Sequence, residues 1–368
     1  GDHLSRCADH LIRKGIKPII WGDIFEEYPD VLNILDKRIA IMYWNYDVIE
    51  WYRTFLMEKI MGTGREVFGA PAAKFAMTTD YFYLYHKSMR NISVMANECK
   101  RLKNNGMITT DWPKLCTYET SVYSNAYAAQ LSWNDYNNQA DFIIEFSNLF
   151  FGTDIPELND ICNYLSEVTY GNVKSKDDVW AVPYSNLHDG QACDGLDRFD
   201  QSKISMNISR LIADYTRQEE SPRITSILKK AINRATNAQI LLNKYDSFIK
   251  KNFEAYNALK MAAKTMIIKS KIGLAIDEAV KLLKYPIAGE EIRQNLVANN
   301  LKLLKQEWLD VKEKTYESQI STNIKPILDV SMTHKFPNEM LEVIDGFIEN
   351  LENHKQVQGL IGFKSYNF

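Results

Sequence analysis

Arg38-Ile39-Ala40-Ile41-Met42-Tyr43-Trp44, followed by Asn45-Tyr46-Asp47 and then by helical spacing from Ile49 to Met61, is the stretch on which the fold turns. An apolar run of this length is too short for a helix, and it predicts a strand buried on both faces, as in a parallel sheet covered by helices. The same unit recurs on either side. Lys17-Pro18-Ile19-Ile20-Trp21 precedes a helix near Pro29 to Leu35. Glu66-Val67-Phe68-Gly69-Ala70 precedes, after a long aromatic loop, a helix near Ile92 to Asn104. Met107-Ile108-Thr109-Thr110 precedes one near Val122 to Trp133. Short apolar runs alternating with helices predict βα units, and such sheets carry their chemistry at the carboxyl ends of the strands.

Just past those ends stand Trp21-Gly22-Asp23, Trp44-Asn45-Tyr46-Asp47 and Thr110-Asp111-Trp112. One tryptophan on a strand belongs more often to a core than to a ligand wall. Three at one edge, each beside an Asp or a Tyr, favour the wall. Sugar rings present C–H faces that stack on indoles and hydroxyls that need acceptors, so the pattern points to carbohydrate chemistry. The local carboxylates are Asp23, Asp47, Asp111 and Glu119. Each could instead be a helix N-cap or a strand-end ion pair, and Asp47, just before a helix start, suits a cap equally well.

The 368 residues carry 44 Lys+Arg against 47 Asp+Glu, a net charge of -3, which argues against the basic face of a nucleic-acid binder. No run of about 18 apolar residues is present to span a membrane. Cys7, Cys99, Cys116, Cys162 and Cys193 lie far apart without a CxxC, and the six histidines are scattered. Neither a zinc site nor a disulfide framework is expected, no cofactor is implied, and unpaired thiols favour a reducing cytoplasm. Gly62-Thr63-Gly64 lacks a third glycine and precedes a strand, so it is no phosphate loop.

Three regions are expected: 1–138, the sheet with the site; 139–202, short helices and a polar loop; and 203–368, a helical bundle. Ala140 to Phe151 and Ile155 to Val168 read as short helices. Long helices are expected near 222–250, 253–284 and 290–318, with Pro286 and Gly289 separating the last two. Ile224, Ile227, Leu228, Ala231, Ala235, Leu242, Tyr245 and Ile249 trace one apolar face, and Ile292, Leu296, Leu304, Trp308 and Val311 another.

Taken together, KGIKPIIWGDI (14–24), IAIMYWNYD (39–47), VFGAPAAKF (67–75) and GMITTDWPKLCTYE (106–119) resemble the last four strands of family 20 glycoside hydrolases, the β-N-acetylhexosaminidases of the hexosaminidase D-like branch. The resemblance covers about residues 2–135. It implies the C-terminal half, strands five to eight, of a TIM (β/α)8 barrel, followed by a helical domain. It also implies a retaining, substrate-assisted hydrolase of terminal N-acetylglucosamine or N-acetylgalactosamine. By that resemblance Trp21, Trp44 and Trp112 would wall the sugar, Tyr46 would hydrogen-bond the acetamide, and Glu119 would hold remote hydroxyls. Asp23 and Asp47 would assist, and the run Tyr81 to His86 would form a rim loop or, equally well, pack against the barrel.

That family's acid and acetamide orienter are an adjacent Asp-Glu pair, and here Asp-Glu occurs only as Asp277-Glu278, deep in a helical stretch. The chain starts at Gly1 without an initiator Met, and His3 to Arg13 resembles the helix after strand four. The expectation is therefore that the catalytic pair comes from a missing N-terminal half or a second chain. A half-barrel would leave two unpaired strand edges, so a companion chain or a second copy is expected to cover them. The alternative, from another class, is a non-catalytic carbohydrate-binding or scaffold protein.

Overall fold

Strands form where the apolar runs stand. In the computed structural model, which describes residues 2–46, 51–74, 85–111, 118–133, 139–170, 221–284, 289–321, 341 and 344–353, the chain is mostly helical with small parallel sheets. It divides into two units, one made of Gly1–Ala76, Leu84–Pro113 and Ser121–Phe146, the other of the remainder.

The first unit begins with α1 (Asp2–Arg13), β1 (Ile19–Trp21), and two single turns, α2 (Ile24–Glu27) and α3 (Val31–Ile34). It continues through β2 (Ala40–Trp44), α4 (Trp51–Met61), β3 (Val67–Ala70), β4 (Ala72–Lys74), α5 (Tyr85–Leu102), β5 (Thr110–Asp111) and α6 (Val122–Trp133). β1, β2 and β3 pair in parallel in that order, with Trp21 opposite Met42 and Trp44 opposite Ala70. β4 pairs in parallel with β5 through an irregular register. The two sheets are continuous across β3 and β4, because the 105–110 segment also hydrogen-bonds to Val67 and Gly69. Four parallel segments therefore lie side by side in chain order.

Alternation sorts the side chains of this sheet. Ile39, Ile41 and Tyr43 join Val67, Met57, Ile60 and Met95 in one buried cluster under the helices. Trp21, Met42 and Trp44 share the opposite face, where Ile19 and Trp21 remain 41% and 38% exposed. Gly69 has a packing reason: a Cβ there would meet Cys99 Sγ at 2.5 Å and Met95 Sδ at 2.6 Å, so only glycine lets α5 approach β3 this closely. Arg65, 5% exposed, donates to the carbonyls of Leu32, Leu35 and Asp36 and fixes the turn that enters β2.

After α7 (Gln139–Phe151), in the second unit α8 (Leu158–Tyr170) packs on α9 (Ser221–Tyr245), which packs on α10 (Phe253–Lys284), which packs on α11 (Glu291–Ser321). Gly289, at φ +91°, stands in the left-handed region between the last two helices. The buried stripe of α11 is Val297, Leu301, Leu304, Trp308 and Val311, alternating steps of four and three residues. Ile292 and Leu296, expected on that stripe, are 75% and 63% exposed. At 3.6 residues per turn they lie about 120° and 80° around the helix from Leu304, too far to share a narrow seam. Ile224 and Ile227, expected on the α9 face, have side chains outside the described set. No described helix is long and apolar enough to cross a membrane.

Candidate functional site

Each strand of the first unit ends in a residue able to do chemistry: β1 in Trp21, β2 in Trp44, β4 in Lys74 and β5 in Asp111. Pro71 interrupts the third strand, so its true carboxyl end is Lys74 rather than Ala70. The amide of Ala72, freed there, donates to Asn91 Oδ1 at 2.9 Å. Asn91 Nδ2 in turn donates to the Asn45 carbonyl at 2.8 Å, which splices the segment after β2 to β4 through α5.

The ends of β2 and β5 meet through Tyr46. Its hydroxyl is 3.2 Å from Thr110 Oγ1, which is also 3.0 Å from the Pro71 carbonyl oxygen. The Thr110 hydroxyl is the donor to both, so its one proton is shared between the Pro71 carbonyl and the Tyr46 oxygen. The Tyr46 ring packs on Trp44 with centroids 5.0 Å apart.

Next to this pair lies a buried charge. Lys74 is 0% exposed, and its Nζ is 3.8 Å from Asp111 Oδ1. Asp111 Oδ2 accepts from Ser121 Oγ at 2.5 Å and from Asn125 Nδ2 at 3.1 Å. Asp111 Oδ1 is inaccessible and without a hydrogen-bond partner. A buried ammonium is tolerated only beside compensating charge, and the partly buried Asp111 supplies some of it. The result is an oriented carboxylate at the end of β5 and, across Thr110, a tyrosine hydroxyl and an indole at the end of β2. Such a group can accept sugar hydroxyls while the ring's C–H face stacks on the aromatic wall.

Of the residues expected from sequence, Trp44, Tyr46 and Asp111 belong to this cluster. Trp21 lies on the same sheet face but toward the other edge. Asp23, also at that edge, starts α2 without making a side-chain capping hydrogen bond. Glu119, half-buried in the 3-10 turn Tyr118–Ser121, is grouped with the second unit. Asp47 and Trp112 lie outside the described residues. Of the two readings for the run Tyr81 to His86, Tyr85 takes the packed one: it opens α5, is 1% exposed and lies 5.6 Å from the Tyr123 ring. Tyr81 to Leu84 lie outside the described residues.

Sequence reasoning missed Lys74, Ser121, Asn125 and Asn91. A signal existed for the first, a lone charge closing the apolar run Val67 to Ala73. Ser121 and Asn125, four apart, share one helical face, but polar residues at that spacing are common on any helix. Among the described residues no group of three His, Cys, Asp or Glu could hold a metal ion.

No family model matches the chain, and no curated protein does. The resemblance to family 20 hexosaminidases is corrected by a structural likeness to a different glycoside hydrolase family, and with it the acetamide roles and the significance of a missing Asp-Glu pair. Strand-end motifs of two or three residues report a chemistry that many sugar sites share, not a lineage. Among solved structures the chain is similar to a GH138 enzyme targeting pectin rhamnogalacturonan II, a different glycoside hydrolase family, at 11% identity and a TM-score of 0.50. The match covers 96% of this chain and 58% of that one, so this chain spans less than two thirds of that enzyme's length, and at such identity the likeness is one of fold.

Proposed function

We propose that this chain carries the sugar-binding face of a glycosidase-like protein. Its four parallel strands would form half of a (β/α)8 barrel, with the glycan lying across their carboxyl ends. The observation that supports this most is the cluster of Trp44, Tyr46, Thr110 and Asp111 at the ends of β2 and β5. Aromatic surface beside a fixed carboxylate suits a ring that is apolar on its face and hydroxylated at its rim. Trp44 and Trp21 stack the ring, Tyr46 and Asp111 bind hydroxyls, and Asp23 follows β1 at the same strand ends; Asp47, Trp112 and Glu119 are proposed as further sugar contacts on their sequence pattern alone. The similar GH138 enzyme targets pectin rhamnogalacturonan II, which makes pectic oligosaccharides the first substrate class to test.

The test is titration calorimetry and reducing-sugar release with rhamnogalacturonan II oligosaccharides. Binding that weakens about tenfold or more in Trp44→Ala, the loss expected of a central aromatic anchor, supports the reading. Undetectable binding by the intact chain across pectic, hemicellulosic and amino-sugar oligosaccharides overturns it. Binding without turnover selects the alternative, a non-catalytic carbohydrate-binding protein.

A further inference from the structure

Parallel strands continue their hydrogen-bond ladder for as long as the register holds, so a rung that is diverted marks a place where the sheet is being shaped. β2 and β3 pair at a constant offset, from Ile41 opposite Val67 to Trp44 opposite Ala70. Ile41 N–H donates to the Glu66 carbonyl at 2.9 Å and Asn45 N–H to the Ala70 carbonyl at 3.3 Å. The same offset sets Asn45 opposite Pro71, and the next rung would run from Ala72 N–H to the Asn45 carbonyl. Ala72 N–H goes instead to a side chain. The carboxamide of Asn91, on α5 and 1% exposed, stands in the rung: its Oδ1 accepts from Ala72 N–H at 2.9 Å and its Nδ2 donates to the Asn45 carbonyl at 2.8 Å.

On the other side of this strand the ladder runs on. Ile108 N–H donates to the Gly69 carbonyl and Thr110 N–H to the Pro71 carbonyl, both at 2.8 Å. β4 therefore stays with β5, and the sheet opens between β2 and β4. The diverted rung holds a second hydrogen bond and a carboxamide, itself roughly 2.2 Å from oxygen to nitrogen. Trp44 and Tyr46 leave from one side of this opening, Lys74 and Asp111 from the other. They are the two halves of the candidate site.

We propose that Asn91 is a positioning residue, a spacer that sets the opening between the ends of β2 and β4 and, through it, the affinity of the sugar site. Ala72 N–H can only donate and the Asn45 carbonyl can only accept, so the position requires one acceptor and one donor on a single small planar group. The contact between Thr110 and Tyr46 bridges the same two strand ends from above the rung. The spacer rests on the ladder and its diverted bonds, whereas the effect on sugar rests on the glycosidase reading above.

Asn91→Asp tests it, because a carboxyl group fits this position in only one protonation state. Protonated, it offers one donor and one acceptor and reproduces both bonds; ionised, it can only accept and sets an oxygen against the Asn45 carbonyl. Burial raises its pKa above the ordinary value of about 4. The titratable side chains on the elements packed against α5 are Lys74 on β4 and Tyr123 and Tyr127 on α6, with Asp111 on the next strand. Wild type carries them all, so the ratio of variant to wild type at each pH isolates position 91.

Two readouts are taken at about pH 5 and about pH 8, either side of such a raised value. One is hydrogen exchange across residues 40–46 by mass spectrometry, and the other is calorimetric affinity for rhamnogalacturonan II oligosaccharides. The variant is expected to match wild type at the lower pH. At the higher one, residues 40–46 exchange faster and affinity falls about tenfold, with far-ultraviolet circular dichroism unchanged. Lowered urea stability with exchange and affinity like wild type would make Asn91 a structural residue alone and overturns the proposal. An affinity loss equal at both pH values overturns it too. Should Asn91→Asp fail to fold at the higher pH, Asn91→Gln, with the same groups one methylene further out, is expected to bind about tenfold more weakly at both pH values. Wild-type affinity in that variant overturns the proposal. Exchange that follows pH as expected in a chain whose wild type binds no oligosaccharide supports the spacer and overturns the glycosidase reading.

Discussion

The two units bury polar groups for different reasons. In the helical unit Asp277 is 3% exposed, yet its partner Lys281, one turn away on the same helix, reaches solvent with 47% of its side chain. That charge is local and half wet. In the sheet unit Lys74 is wholly buried, a carboxylate near it comes from another strand, and Asn45, Asn91 and Ser121 are buried in the same unit. Around α10 and α11 the interior is a large apolar cluster in which Thr265, Ser270 and Gln294 are the other buried polar side chains among the described residues. Buried polar groups cost stability that an apolar core would not. A fold that retains them at strand ends, where parallel sheets do their chemistry, is holding an arrangement rather than maximising burial.

Lys74→Met attacks that contrast with the largest expected effect. It leaves Asp111 without its buried counter-charge, a loss of about 3–5 kcal/mol in urea unfolding. The double variant Lys74→Met with Asp111→Leu is expected to recover part of it, because neither charge remains to be desolvated. A double variant no more stable than the single would mean that the pair is not coupled. Leu301→Ala strikes the other unit, at a residue 0% exposed in the apolar cluster. About 2–5 kcal/mol should be lost there, with sugar binding intact at temperatures where the protein stays folded.

Gly69→Ala is smaller. Its new methyl meets the sulfurs of Cys99 and Met95, and about 1–3 kcal/mol of overpacking is expected, read as a lowered midpoint. The smallest effect is electrostatic. Lys244, with a 2.5 Å contact, and Tyr245 hydrogen-bond Glu157 and hold its carboxyl below the ordinary value of 4.5. A depressed folded value stabilises fully above the unfolded one and is lost as pH falls through it. Glu157→Gln should therefore cost under about 1 kcal/mol at neutral pH and flatten the acid limb of the stability curve. Equal acid sensitivity in both proteins would contradict this.

The strands and helices were legible because period and length carry them: Ala40–Trp44 and Val122–Trp133 stand where the apolar pattern puts them. Ile292 and Leu296 were misplaced because an apolar residue looks the same in sequence whether its stripe meets a neighbour or water. Trp44, Tyr46 and Asp111 could be nominated from composition at strand ends, whereas Lys74 could not. Its only local sign is a lone charge closing an apolar run, and its burial near a carboxylate 37 positions away is a tertiary fact. Family assignment failed for the related reason that short motifs encode a local chemical need and leave ancestry unstated.

The central claim is that sugar recognition belongs to the strand ends of the sheet unit. It is tested most directly by calorimetric titration of one oligosaccharide that the intact chain binds into three variants. These are Trp44→Ala, Asp111→Asn and, in the helical unit, Leu303→Ser at a side chain 67% exposed. The account predicts an affinity loss of about tenfold or more in the first two, the cost of removing an anchor or a charged acceptor, and none in the third. Undiminished affinity in both strand-end variants, or a comparable loss in Leu303→Ser, would contradict it.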